Sequence, residues 1–217
     1  MTGDPARDLT DGSAESIPEA TVARLPVYLR GLVGLAETGV ATVSSVELAE
    51  MAGVNAANVR KDLSYLHAHG TRGVGYQVDH LIGEISLVLG GGVPSPVVIV
   101  GIGNLGRALL SYRGFEREGF EVVGAFDVQS GRFPKEVPIQ VRSMKVMPKV
   151  IDEHLVKMAI LCVPPTAAQE VTNQLIEYGV VAILNFAPIV LSVPDEVTVN
   201  NVNLAMELEN LSYFINE

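Results

Sequence analysis

The chain has 217 residues, of which 48% are hydrophobic and 18% charged, with a formal net charge of −10. That size and apolar content suit more than one packed domain and exclude a generally disordered chain. The acid excess excludes a protein that coats nucleic acid with its whole surface, but not a local basic patch. Apolar runs such as residues 97–100 and 158–163 are far too short to span a bilayer. Cys162 is the only cysteine, so no internal disulfide can form, which fits a reducing, cytoplasmic setting.

Residues 1–16 are sprinkled with acids and lack both a basic start and an apolar stretch. They read as a disordered tail and not as a secretory signal. From Ile17 the pattern turns helical. Pro18 suits a helix start, and Val22, Leu25, Leu29, Leu32 and Val33 recur at helical spacing. Pro26 cannot sit comfortably inside a helix, so a start, kink or break is expected there. Gly39 is a fitting C-terminal stop.

Ser44 and Glu47 have the spacing of a capping box, and a short helix follows with Leu48, Ala49 and Ala52 on its apolar face. Gly53 allows a tight turn. Asn55 can then cap a second helix from Ala56 to about Leu66. Two short helices joined by a glycine turn form the helix-turn-helix pattern, which many unrelated helix pairs share. In the second helix Val59 and Leu63 face inward, leaving Arg60, Lys61 and Ser64 outside. One reading is an ordinary solvated face, with Arg60 and Lys61 near Asp62. The other is a recognition helix, in which Ser45, Asn58, Arg60, Lys61, Ser64 and Tyr65 contact bases or phosphates. The glycine-rich stretch 70–78 favours the second reading. It predicts a short β-hairpin, a wing, with Arg72 at its tip. Arg60, Lys61 and Arg72, with His67 and His69, form a basic island against one acid, Asp62.

A helix is predicted over 80–89, and the Gly/Pro/Ser cluster at 90–96 reads as a linker. Beyond it, Val97-Val98-Ile99-Val100 has the continuous apolar character of a doubly buried parallel strand. It runs into Gly101-Ile102-Gly103-Asn104-Leu105-Gly106 and then into a helical segment. A glycine motif alone is weak, but between strand and helix it matches a dinucleotide-binding turn. A second strand, 120–126, ends at Asp127, about 20 residues past the glycines, where an acid can hold the adenosine ribose hydroxyls. Such an acid disfavours a 2′-phosphate, so NAD(H) is expected over NADP(H).

Strand and helix then alternate. Strands are predicted near 138–141, 157–163, 181–186 and 197–199, and helices over 147–155 and from Pro164-Pro165 to Gly179. Val163-Pro164 and Asn185-Phe186-Ala187-Pro188 fall at strand carboxyl ends, where such sheets bind ligands, and plain loop chemistry is the equal alternative. Phe186 is a candidate stacking surface for nicotinamide. A last, very apolar helix runs from about Leu204 to Phe214. It can dock on its own domain or enter a second subunit. The only histidine past the glycine motif is His154, which precedes a strand, and no separate substrate domain remains, so an enzyme is a poor reading.

Taken together, these segments resemble the Rex family of redox-sensing transcriptional repressors, collinearly from Ile17 to Phe214. The residues that carry the likeness include Arg24-Leu25-Pro26-Val27-Tyr28-Leu29-Arg30, Val59-Arg60-Lys61-Asp62-Leu63-Ser64-Tyr65, the glycine motif with Arg107-Ala108-Leu109, Asn185-Phe186-Ala187-Pro188, and Asn210-Leu211-Ser212-Tyr213-Phe214. The resemblance implies a winged-helix domain (17–89), a linker (90–96), a Rossmann-type doubly wound α/β domain (97–200), and a dimerisation helix (201–217) swapped between the subunits of a homodimer. It implies operator DNA as partner, released when NADH binds, with neither membrane nor metal. Arg60, Lys61, Ser64, Tyr65 and Arg72 would then read DNA. Gly101, Gly103, Asn104, Leu105, Gly106 and Asp127 would hold the dinucleotide.

The likeness also implies a switch that joins an acid on the last helix to an Arg of the first helix and a Tyr of the glycine-loop helix. Arg24 and Tyr112 match the last two, but the acid is replaced by Asn203. Family members usually end the recognition helix in Phe-Gly, where this chain has Leu66-His67. The rival readings are an NAD-dependent oxidoreductase and a module for another nucleotide such as coenzyme A. Asp127 argues against the 3′-phosphate of coenzyme A.

Overall fold

Pro26 decides where the first helices break. Its ring would clash with the carbonyl four residues back in a helix interior. It therefore sits in the first turn of α2 (Leu25–Glu37), behind a short α1 (Glu19–Val22). The computed structural model describes residues 17–66, 68–91, 94–133 and 139–215. The predicted tail, His67 and the start of the strand expected at 138–141 lie outside them. The chain divides into two compact units, at Gly92–Val93.

In the first unit β1 (Thr42–Val43) precedes α3 (Ser45–Ala52). The capping box forms as expected: Glu47 N–H donates to Ser44 Oγ at 3.1 Å, and Ser44 N–H donates to Glu47 Oε2 at 2.8 Å. Gly53 takes a left-handed φ of 66° to end α3. Asn55 then caps α4 (Ala56–Ser64) by accepting from Asn58 N–H. β2 (Tyr76–Gln77) leads into α5 (Val78–Val88). Leu25, Leu32, Leu48, Val59, Leu63, Leu81 and Ile85 interlock as the core.

The wing differs from the expected local hairpin. Within 70–78 only one antiparallel bridge forms, Thr71 to Gly75. β2 pairs instead with β1, Val43 opposite Tyr76. Gly75 explains the close approach. Its φ is +98°, and a Cβ there would run into the Val43 carbonyl.

The second unit alternates strand and helix. Its strands are β3 (Ser95–Val100), β4 (Phe120–Asp127), β5 (Val141–Ser143), β6 (Met158–Leu161), β7 (Ala182–Asn185) and β8 (Thr198–Asn201). β3 starts two residues inside the stretch read as linker. The helices are α6 (Asn104–Leu110), α7 (Gly114–Arg117), α8 (Met147–Glu153), α9 (Pro165–Glu177) and α10 (Leu204–Ile215). All six strands are parallel, in the order β5-β4-β3-β6-β7-β8. That is the doubly wound order 3-2-1-4-5-6 of dinucleotide folds, and its reversal between β3 and β6 opens a crevice at the strand carboxyl ends.

α8 and α9 cover one sheet face, against Val98, Val100, Phe126 and Leu161. On the other, α6 and α7 pack near Val97, Ile99 and Ile160. An apolar groove of about 260 Å³ remains there, lined by Phe115, Phe120, Met158 and Leu184 among others. α10 buries none of its residues and exposes Leu204, Leu208, Leu211 and Phe214. No helix of the described residues is long and apolar enough to cross a membrane.

Gly73 and Gly75 both have positive φ, but a Cβ at Gly73 meets nothing within 4 Å. Gly73→Ala is therefore expected to cost about 1–2 kcal/mol of backbone strain. Gly75→Ala adds a steric clash and should cost clearly more. Urea unfolding of the two variants checks the order, and equal losses would contradict it.

Candidate nucleic-acid interface and dinucleotide site

α4 presents its polar face as expected from the burial of Val59 and Leu63. Asn58, Arg60, Lys61 and Ser64 are exposed and Tyr65 is half-buried. Arg60 Nη1 donates to Ser45 Oγ at 2.9 Å, which joins the first residue of α3 to α4. Ser64 Oγ donates to the Lys61 carbonyl at 2.7 Å, which uses its one O–H and leaves its oxygen lone pairs to accept. Arg72 is exposed in the turn closed by the Thr71–Gly75 bridge. These cations can meet phosphates or guanine edges.

Asp62 does not lie beside Arg60 and Lys61 as an offsetting surface acid. It is 1% exposed and points the opposite way. Thr21 Oγ1 donates to its Oδ1 at 2.8 Å and Tyr28 OH to its Oδ2 at 2.7 Å. Arg24 grips both oxygens, Nε to Oδ2 at 2.6 Å and Nη2 to Oδ1 at 2.7 Å. Burial would push this carboxyl up, but the donors from Arg24, Tyr28 and Thr21 outweigh it and hold the group below its ordinary value. The hydrogen bond to Asp62 raises the Arg24 pKa in turn. Burial, followed by the bond to Asp62, pushes the Tyr28 phenol up to about 12. The one acid between positions 60 and 72 is thus turned inward.

In the second unit the glycines have different reasons to be glycine. Gly101 has φ +90°, and a Cβ there would lie 2.6 Å from the Cys162 carbonyl oxygen. A Cβ at Gly106 would collide with the Gly101 carbonyl. A Cβ at Gly103 meets nothing within 4 Å, and its φ is an ordinary −71°. The fold does not need glycine there, but a pyrophosphate approaching the backbone does. The cradle therefore fits a dinucleotide. Asn104 and Leu105 stand exposed at the loop, and Arg107 Nη2 donates to Asn104 Oδ1 at 2.7 Å.

Asp127 closes the loop from β4. Its Oδ2 accepts from Ile102 N–H at 2.8 Å and its Oδ1 from Gln129 N–H at 2.7 Å. A carboxylate has about four acceptor positions, so two backbone bonds leave room for ribose hydroxyls. Val163 and Pro164 follow β6, with Pro164 as the N-cap of α9. Phe186 is half-buried on the face shared with Cys162.

Asn185 is buried and faces the protein. Its Nδ2 donates toward Ala187 O, Ile189 O and Asn201 Oδ1, and its Oδ1 accepts from Ala187 N–H. Its side chain shapes the loop that carries Phe186, Ala187 and Pro188. Burial pushes the Cys162 thiol up to about 12, away from the thiolate that reactive cysteines need. Among the described residues no cluster of His, Cys, Asp and Glu could hold a metal.

The three residues matched to the switch lie in different places. Arg24, at the joint before α2, belongs to the first unit and is engaged by Asp62, whereas Arg30 on α2 is exposed. Tyr112 is exposed after α6 and packs edge-on against Phe115 at 5.1 Å. Asn203 caps α10, accepting from Ala205 and Met206 N–H.

The sequence of the first unit matches a family model described as a putative DNA-binding protein N-terminus over residues 16–64. The second matches a CoA-binding domain model over 94–189. Over 92% of its length the chain is 51% identical to the redox-sensing transcriptional repressor Rex of Streptomyces avermitilis, covering 80% of that protein. It is 48% identical to Rex of Pelotomaculum thermopropionicum, covering 94% of it. The chain belongs to the Rex family of redox-sensing transcriptional repressors.

Among solved structures it is similar to RSP, a Rex-family repressor, in complex with β-NAD+ and operator DNA. The TM-score is 0.85 at 36% identity, covering 92% of this chain and 93% of that one. RSP in complex with β-NADH gives 0.81 at 35% identity, covering 93% of this chain and 95% of that one.

The Asp62 cluster has a definite pH signature. With the folded pKa below the unfolded one, its contribution to stability is complete above about pH 4 and is lost as the pH falls through the folded value. Asp62→Asn is expected to cost on the order of 2–3 kcal/mol at neutral pH. The gap between variant and native protein should narrow on acidification, in urea unfolding followed from pH 7 to about pH 3. A gap independent of pH contradicts the assignment.

Proposed function

We propose that this member of the Rex family is a repressor that binds operator DNA through α4 and the 71–75 turn and releases it when NADH occupies the glycine loop. The observation that carries this reading is the likeness, over both units, to a repressor held with β-NAD+ and operator DNA. In the first unit Arg60, Lys61 and Arg72 supply the cations, with Ser45, Asn58, Ser64 and Tyr65 as polar contacts. In the second, Gly101, Gly103 and Gly106 leave the backbone open to the pyrophosphate, Asp127 accepts from the adenosine ribose, and Phe186 flanks the nicotinamide with Val163 and Pro164. When bound, the dinucleotide supplies the redox-dependent charge and shape that the protein senses.

No hydride acceptor chemistry is assigned to the chain itself. At the carboxyl edge of the sheet Asp127 accepts from two backbone N–H groups of the loop, and burial pushes the Cys162 thiol up, which supports a sensed ligand over a reacting one. A coenzyme A reading draws on the CoA-binding family model. Asp127 disfavours it, because the carboxylate would face a 3′-phosphate. Working on an operator places the protein in the cytoplasm. The apolar surface of α10 suits a swapped contact in a homodimer, and Asn203 at its start stands where the likeness implies an acid.

Mobility shifts on operator DNA at fixed salt, titrated separately with NADH, NAD+ and coenzyme A, test the proposal. Loss of the shift with NADH at concentrations where NAD+ and coenzyme A leave it is the expected result. A shift insensitive to NADH would sink it. Asn203→Asp preserves the helix cap and restores the carboxylate, so it should alter the NADH concentration at half-release. An unchanged midpoint would show that position 203 plays no part in the switch. Gly103→Ala should lower NADH affinity by at least about tenfold while leaving the unfolding midpoint near native. Native-like NADH titration of that variant would remove Gly103 from the site.

A further inference from the structure

One acid on α4 is turned away from any DNA that the helix could read. Thr21 on α1, Arg24 at the joint and Tyr28 on α2 all donate to Asp62. The other inward residues of α4, Val59 and Leu63, are apolar. Apolar packing is non-directional and tolerates small rotations of a helix about its axis. A carboxylate held by a two-pronged guanidinium and two hydroxyls does not, because those bonds fix both distance and direction.

We infer that Asp62 is a positioning residue for DNA reading: its contacts with Thr21, Arg24 and Tyr28 set the rotation of α4 that presents Arg60 and Ser64. This rests on α4 being the DNA-reading helix. At about 100° per residue, positions 60 and 64 both fall nearly opposite position 62. Lys61 and Tyr65 fall on one flank. A rotation of about 20° moves a side-chain tip, at about 6 Å from the axis, by about 2 Å. That displacement breaks a hydrogen bond to a base edge. A long, mobile cation still finds a phosphate after the same displacement. Asp62 therefore supports sequence selectivity more than general DNA affinity, although it touches neither bases nor phosphates.

The test uses the full chain with Asp62→Asn. Kd values are measured at fixed salt for an operator duplex and for a scrambled duplex of equal length. Operator affinity should fall by about tenfold, the worth of one well-aligned base contact, with scrambled-duplex affinity within about twofold of native. NADH affinity measured without DNA should stay native, because the partners of Asp62 are Thr21, Arg24 and Tyr28 and none belongs to the glycine loop. Tyr28→Phe removes one donor and keeps the ring, so it should give a smaller loss of selectivity in the same direction. Native selectivity in folded Asp62→Asn overturns the inference. So does an equal loss for both duplexes in both variants, which marks Asp62 as a support of folding alone. If the native chain itself does not prefer the operator, the DNA reading fails and the inference falls with it.

Discussion

A carboxylate inside an apolar core persists only when its oxygens are met by donors, and Asp62 meets four donor groups from three residues. The first unit is organised around that requirement. The break at Pro26 leaves Thr21 and Arg24 on one side and Tyr28 on the other, so that short α1, the joint and α2 converge on one acid of α4. Without the break, Thr21 and Tyr28 would ride one continuous helix. The same arrangement removes Asp62 from the outer surface of α4. Lys61 and Arg72 are exposed, and the one acid between positions 60 and 72 is buried, while the chain as a whole carries −10. A strongly acidic protein can bind a polyanion at one place if its local acid is turned inward.

The second unit depends on a comparable constraint at the crevice where strand order reverses. Gly101 and Gly106 are required by the backbone, since side chains there meet the carbonyls of Cys162 and Gly101. Asp127 ties the loop to the end of β4 through Ile102 N–H. The loop is thus held from both sides before any ligand arrives, which lowers the ordering cost of binding. Gly103 is the exception, open where the other two are crowded.

Local chemistry was legible in the sequence wherever one residue decides one feature. Pro26 marked the break, Ser44 with Glu47 the start of α3, Asn55 the start of α4, and Gly53 the turn between them. Apolar runs located the parallel strands, because a strand buried on both faces needs no alternation. What escaped was non-local. Asp62 looks like a partner of its sequence neighbours, and nothing in residues 60–64 announces donors 34 to 41 positions upstream. β2 looked like half of a local hairpin, yet its partner strand is β1. Asn185 sits at a strand end, and nothing nearby in sequence announces its bond to Asn201 on β8. Arg24 likewise gave no sign of its partner Asp62, 38 positions further along the chain.

Two sites on two units make a sensor only if they share a free energy. Linkage demands that the factor by which NADH weakens operator binding equals the factor by which operator weakens NADH binding. The most direct test is therefore to measure NADH affinity of the full chain with and without saturating operator DNA, and operator affinity with and without saturating NADH. Equal, substantial factors in both directions are expected. NADH binding of the same affinity whether or not operator is bound would contradict the account, however well each ligand binds alone.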